Sequence, residues 1–162
     1  THLVMSKSAK LTLHHELDMS VADLESLADE VHPINNIGAS IASGSFPTAG
    51  MLIAPCSVRT MSEIATGVTS TLLTRAADVV LKERRRLVLL VRETPLHTGH
   101  LRTMTRLSEM GAVIAPPVPA FYTRPQTLED MVTQTVGRAL DLFDLDHEQV
   151  KRWQGDDVHR GA

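Results

Sequence analysis

Five consecutive aliphatic residues, Leu87 to Val91, show no polar alternation, which is the pattern of a strand covered on both faces in a parallel sheet flanked by helices. Ala49 to Ala54 and Val113 to Ala115 have the same character, and Thr1 to Met5 has the composition of a strand. Between these runs the apolar period changes to that of a helix, over Ala9 to Leu17, Met61 to Thr66, Leu72 to Arg86, Leu96 to Met110 and Leu128 to Phe143. A shorter helical pattern, Val21 to Ala28, follows the cap residue Ser20 and carries Asp23 in its first turn, where the helix dipole favours an anion. From Val31 to Gly50 the pattern is irregular and rich in small residues. Ile37, Ile41 and Phe46 are interleaved there and argue for an ordered loop, because a solvated linker has no use for them. Strands alternating with helices predict an α/β fold built on a parallel sheet. The chain reads as a single domain over 1–162, with a polar tail over 144–162.

In open α/β sheets, ligands bind beyond the carboxyl ends of the strands. Three such ends here run into unusual polar turns. Leu87 to Val91 empties into Arg92 and Glu93, and Pro95 biases Thr94 away from helix. Ala49 to Ala54 ends in Pro55, Cys56, Ser57, Val58, Arg59 and Thr60, where Ser57 at a helix start either caps the helix or leaves backbone N–H groups for a phosphate or a polar ring edge. Cys56 reads as a small packing residue, since the sequence offers no particular base to activate it. Pro116, Pro117 and Pro119 stop the last strand ahead of a loop carrying Tyr122. Arg75 and Lys82 lie two turns apart and share a helix face, while Lys82 to Arg86 also complements the dipole at that helix's end.

Composition narrows the class of ligand. A formal net charge of -3, with one Trp, one Tyr and three Phe, provides neither the basic field nor the stacking platform of a nucleic-acid binder. No apolar run approaches the length of a membrane span. A small-molecule partner is expected, and the single Cys56 with no secretory pattern points to the reducing cytoplasm. There is no His-Glu-x-x-His and no Gly-x-Gly-x-x-Gly. His14 with His15 and His97 with His100 come without carboxylate or Cys partners, so a metal-free site is expected.

Several separated motifs occur together and in order: Ser57-x-x-Thr60 after Pro55, Leu72 to Asp78, Lys82 to Arg85, Arg92 to His97, and Pro116-Pro117-x-Pro119-Ala120-Phe121-Tyr122. As a set they resemble the UbiX flavin prenyltransferases over nearly the whole length. The resemblance implies a Rossmann-like, flavodoxin-like three-layer αβα fold with a parallel sheet. It also implies an enzyme that joins a dimethylallyl group from dimethylallyl monophosphate to reduced FMN, giving prenylated FMN for a UbiD-type decarboxylase. By the matching motifs, Ser6, Ser57, Val58, Arg59, Thr60 and Arg92 would contact FMN, and Arg75, Lys82, Tyr122, Arg138 and Trp153 the prenyl donor. Lys82 and Tyr122 would assist departure of the phosphate, and Glu93 proton transfer. The family is similar in assembling as dodecamers with shared sites. Its members open with a further strand, a Gly- and Ser-rich phosphate turn and a helix, about thirty residues on the scale of a βα unit, which this chain is expected to lack. Two other readings remain: an FMN-dependent decarboxylase of the related cysteine-decarboxylase type, and an inactive flavin-binding fragment.

Overall fold

The computed structural model describes residues 1–148 and 150–152. Contacts divide the chain into two compact units, Thr1–Ile114 and Ala115–Ala162. The first unit holds strands β1 (His2–Val4), β2 (Glu30–His32), β3 (Gly50–Cys56), β4 (Arg86–Val91) and β5 (Val113–Ile114), with helices α1 (Lys7–Glu16), α2 (Val21–Glu25), α3 (Val58–Thr66), α4 (Leu72–Lys82) and α5 (Thr98–Glu109). The second holds a short 3-10 turn, Phe121–Thr123, and helix α6 (Leu128–Asp141). No helix among the described residues is long and apolar enough to cross a membrane.

All strand pairings are parallel, as the unbroken aliphatic runs require. They form two sheets, β1–β2 and β3–β4–β5. Neither β1 nor β3 has a strand partner on its second edge among the described residues. The core of the first unit lies where β3 and β4 meet α3, α4 and α5. Met61, Leu87, Leu89 and Leu107 are fully buried there, each contributing about 1.5–3 kcal/mol relative to exposure. Leu87 and Leu89 on one face of β4 and Val88 on the other are all inaccessible, so the strand is covered on both sides.

The helix ends follow local chemistry. Ser6, Ser20, Ser57, Thr71 and Thr127 each accept a backbone N–H bond from the third helical residue, and at Ser20, Thr71 and Thr127 the cap is reciprocal. Gly67 and Gly111 close α3 and α5 with φ of 74° and 103°, conformations open to glycine.

The boundaries correct the sequence reading in three places. The helix expected from Met61 begins at Val58, because Ser57 caps it and takes Val58, Arg59 and Thr60 into its first turn. The helix expected to reach Arg86 stops at Lys82, because Arg84 turns left-handed at φ 59° and Arg85 is drawn away to donate to the carbonyls of Phe46 (2.8 Å) and Gly44 (2.7 Å). Arg86 already belongs to β4. The third correction is β2, which straddles the start of the stretch expected to be irregular from Val31 onward; its three residues are too few and too polar to stand out. The remainder of that stretch is tied down as an ordered loop: Leu72 N–H donates to Ile34 O (2.8 Å) and Arg75 Nε to Ala42 O (3.2 Å).

Candidate active site

The carboxyl ends of β1, β3 and β4 converge on one cavity of about 430 Å³. Its walls are mostly apolar, from Leu3, Met5, Leu13, Ile53, Pro55 and Leu73, and its polar groups are few: Ser6, Ser8, Thr12, Glu16, Ser57, Thr60 and Arg92. Ser6 and Ser57 reach it as the N-caps of α1 and α3. Ser57 Oγ donates to Thr60 Oγ1 at 3.1 Å while accepting from Thr60 N–H at 3.2 Å, which fixes both hydroxyls at the rim. An apolar cleft of this size with a handful of placed hydroxyls and one cation is the make-up of a small-molecule site.

Arg92 is held twice. Its backbone N–H donates to Cys56 O at 3.2 Å, extending the β3–β4 pairing past the last strand residue. Its guanidinium reaches Glu16 at the end of α1, with 3.2 Å from Nη1 to Oε2 and 3.5 Å from Nη2 to Oε1. Glu16 is the functional neighbour that sequence reasoning missed: nothing in the spacing of α1 marks its last residue as the partner of a strand end so distant in the chain. Cys56 lines the cavity but is inert. Burial pushes its thiol up to about 12, with only a small opposing effect from the Met61 N–H, so it stays protonated and packs as an apolar group.

The cavity gathers Ser6, Ser57, Thr60 and Arg92, four of the six residues expected at a flavin. It does not include the side chains of the other two. Val58 starts α3, and Arg59 is 83% exposed and paired with Glu63 at 2.9 Å. Glu93 is exposed and accepts from the Thr94 N–H at 3.1 Å. Arg75 and Lys82 face the loop over 40–47 instead of the cavity. Arg75 bonds Ala42 O and, at 2.9 Å, Asp78, and Lys82 pairs with Glu83 beside Gly44.

In the second unit, Tyr122 lies in the 3-10 turn and is half exposed. Arg138 pairs with Asp141 at 2.5 Å. Asp141 also receives Arg152 through two bonds (2.8 and 3.1 Å) and His147 at 2.9 Å. Arg152 foremost, then Arg138 and His147, hold its carboxyl well below the usual carboxylate range against the opposing effect of burial. Trp153 lies outside the described residues.

The family model described as Flavoprotein matches residues 1–140. The chain is 59% identical to a flavin prenyltransferase UbiX of Thauera aromatica, over 97% of this chain and 81% of that one. It is 60% identical to flavin prenyltransferase UbiX of Escherichia coli (strain K12), over 96% and 83%. Among solved structures it is similar to a UbiX (PadA1) in complex with FMN and dimethylallyl pyrophosphate, with a TM-score of 0.94, 52% identity, and coverage of 96% of this chain and 82% of that one. It is also similar to a dodecameric FMN-dependent UbiX-like decarboxylase from Escherichia coli O157:H7, with a TM-score of 0.93, 51% identity, and coverage of 96% and 84%.

Proposed function

The chain belongs to the UbiX family of flavin prenyltransferases, and on that premise we propose that its cavity holds reduced FMN and that the protein transfers a dimethylallyl group from dimethylallyl monophosphate to it. The observation that carries this reading is the convergence of Ser6, Ser57, Thr60 and Arg92 on a single cleft of about 430 Å³. The cleft suits the group. Apolar walls match the faces of a flavin ring, and the hydroxyls at two helix starts with one guanidinium match its polar edge. When bound, reduced FMN supplies the nucleophilic N5 and C6 that take up the dimethylallyl carbons, and phosphate leaves.

The chain's own residues do the rest. Ser57 and Thr60 bind and orient the polar ring edge through hydroxyls already locked to each other. Arg92, held at the strand end by its backbone bond to Cys56, supplies positive charge beside it. Leu3, Ile53 and Pro55 keep water from the ring face. Lys82, Tyr122, Arg75 and Arg138 serve the prenyl phosphate, where cations and a phenol stabilise the departing charge, and Glu93 moves a proton near the ring. Trp153 is assigned to the prenyl donor with them, as an aromatic residue able to stabilise an allylic cation. Backbone N–H groups at the start of α3, at Val58 and Arg59, complete the polar edge.

By analogy with the dodecameric neighbour we place these residues in a homo-oligomer, probed by size-exclusion chromatography. The product then passes to a UbiD-type decarboxylase in ubiquinone synthesis or aromatic acid breakdown, in a cytoplasm that keeps the lone thiol reduced. A decarboxylase reading is not followed for this chain, because no histidine among the described residues lines the cleft to act as a base.

The deciding experiment is mass spectrometry of the flavin recovered after anaerobic incubation with reduced FMN and either dimethylallyl monophosphate or the pyrophosphate. Gain of one dimethylallyl unit with the monophosphate is expected. Unmodified flavin together with CO2 release from an aromatic acid by the protein alone would overturn the reading.

A further inference from the structure

We propose that His2, Glu30 and His32 form a binding site for one divalent transition-metal ion of the zinc class, on the β1–β2 pair and apart from the flavin cleft. None of the three lines that cleft. The parallel register sets His2 opposite Glu30, and strand alternation puts His32 on the same face as Glu30. Three side chains with metal-binding atoms therefore emerge together.

The two histidine–carboxylate separations match what an ion requires, and the imidazole pair has to open by about 0.4–0.5 Å to admit one. His2 Nδ1 lies 2.9 Å from His32 Nε2 and 3.4 Å from Glu30 Oε2, and His32 Nε2 lies 3.5 Å from Glu30 Oε1. A tetrahedral zinc with ligands at about 2.0–2.1 Å holds them about 3.3–3.4 Å apart. Two imidazoles and a carboxylate with an open fourth position form a borderline donor set, suited to zinc, cobalt or nickel rather than to calcium or magnesium.

The site is also supported from behind. The His32 side chain is 5% exposed, so its ring is fixed, whereas His2 at 29% and Glu30 at 55% leave the opening for the ion. The two imidazoles lie within 5° of parallel at 5.2 Å between centroids, edge to edge through their 2.9 Å nitrogen contact, and Phe46 packs edge-on against His2 at 5.4 Å. Arg85 holds the Phe46 carbonyl, which ties the ring to the end of α4. In the ion-free protein the imidazoles share a hydrogen bond and flank the carboxylate. An ion replaces the proton between the two nitrogens and pins β1 to β2.

The test uses the full-length, tag-free protein at neutral pH, with zinc as the probe in calorimetric titration and cobalt as a spectroscopic probe. Expected results are one zinc per chain with micromolar or tighter affinity, a raised melting temperature with zinc, and a four-coordinate cobalt spectrum. His2→Ala and Glu30→Gln change partly exposed side chains and should fold, so they carry the decision alongside His32→Asn. Each should weaken zinc binding at least tenfold and abolish the melting shift. Zinc affinity no better than millimolar, or affinity unchanged in His2→Ala and Glu30→Gln, overturns the proposal; the second result would assign binding to other histidines such as His97 and His100.

Discussion

Arg92→Ala separates recognition from stability, because the residue does two jobs with different parts. Its backbone N–H, bonded to Cys56 O at 3.2 Å, survives the change and keeps the end of β4 in place. Its side chain gives up the Glu16 pair, whose members are 56% and 54% exposed. Exposed pairs of this kind are worth about 0–1 kcal/mol, so the melting temperature should fall by less than about 4 °C. A charge-assisted bond to a ligand edge inside a cleft is worth about 1.5–3 kcal/mol, which is about 10- to 150-fold in the dissociation constant for FMN. Flavin fluorescence titration and thermal denaturation of the flavin-free protein measure the two quantities. Glu16→Gln is the control: it releases the guanidinium and should leave flavin affinity equal or tighter. Arg92→Ala binding FMN as the parent does, or melting ten degrees lower, would refute the division between backbone anchor and side-chain recognition.

Lys82→Ala and Tyr122→Phe should raise the prenyl-phosphate requirement or slow transfer while leaving flavin bound; separate titration of each substrate checks this, and a selective flavin defect would remove both residues from the donor's side. Cys56 should resist iodoacetamide in the native state at pH 8, since a thiol at about 12 is ionised to about one part in ten thousand there, and should react on unfolding. Because that thiol's value is raised by folding, the stability it allows is present below its unfolded value of 9.0 and declines as pH rises toward 12, which alkaline denaturation of Cys56→Ala against the parent would show as a flatter profile. Asp141 has a depressed value, so its contribution is present above the ordinary carboxylate value of 3.8 and is lost on acidification. Asp141→Asn should therefore speed amide exchange at 145–148 and 150–152 at neutral pH, by releasing Arg138, His147 and Arg152 together, and unchanged exchange would show that the cluster does not hold that segment.

What the chain discloses by pattern alone depends on how much of an element is apolar. β3 and β4 are legible because they are buried runs of aliphatics, and α3, α4 and α6 because their caps and inner stripes coincide. β2 is illegible for the opposite reason: Glu30 and His32 make it polar, and these same residues form the histidine–carboxylate cluster. The cleft was legible only as separate strand ends. Ser6, Ser57, Thr60 and Arg92 acquire a common ligand through resemblance to a family, whereas Glu16 had no signal, because its role depends on where α1 ends in space. The end of α4 was misjudged because a cluster of cations continues a helical pattern well, and nothing local reveals that Arg85 is bound to the carbonyls of Gly44 and Phe46.

The candidate cleft is bordered by β1 and β3, each with one edge that has no strand partner among the described residues. An ordinary strand turns alternate residues toward a ligand, yet Leu3, Val4, Met5 and Ser6 are consecutive in the wall, as are Ile53, Ala54, Pro55, Cys56 and Ser57. The pairing of β3 with β4 also shifts register between Ile53 and Cys56. Main chain, not only side chain, forms that wall. Whatever occupies that wall meets peptide groups that every substitution except proline preserves.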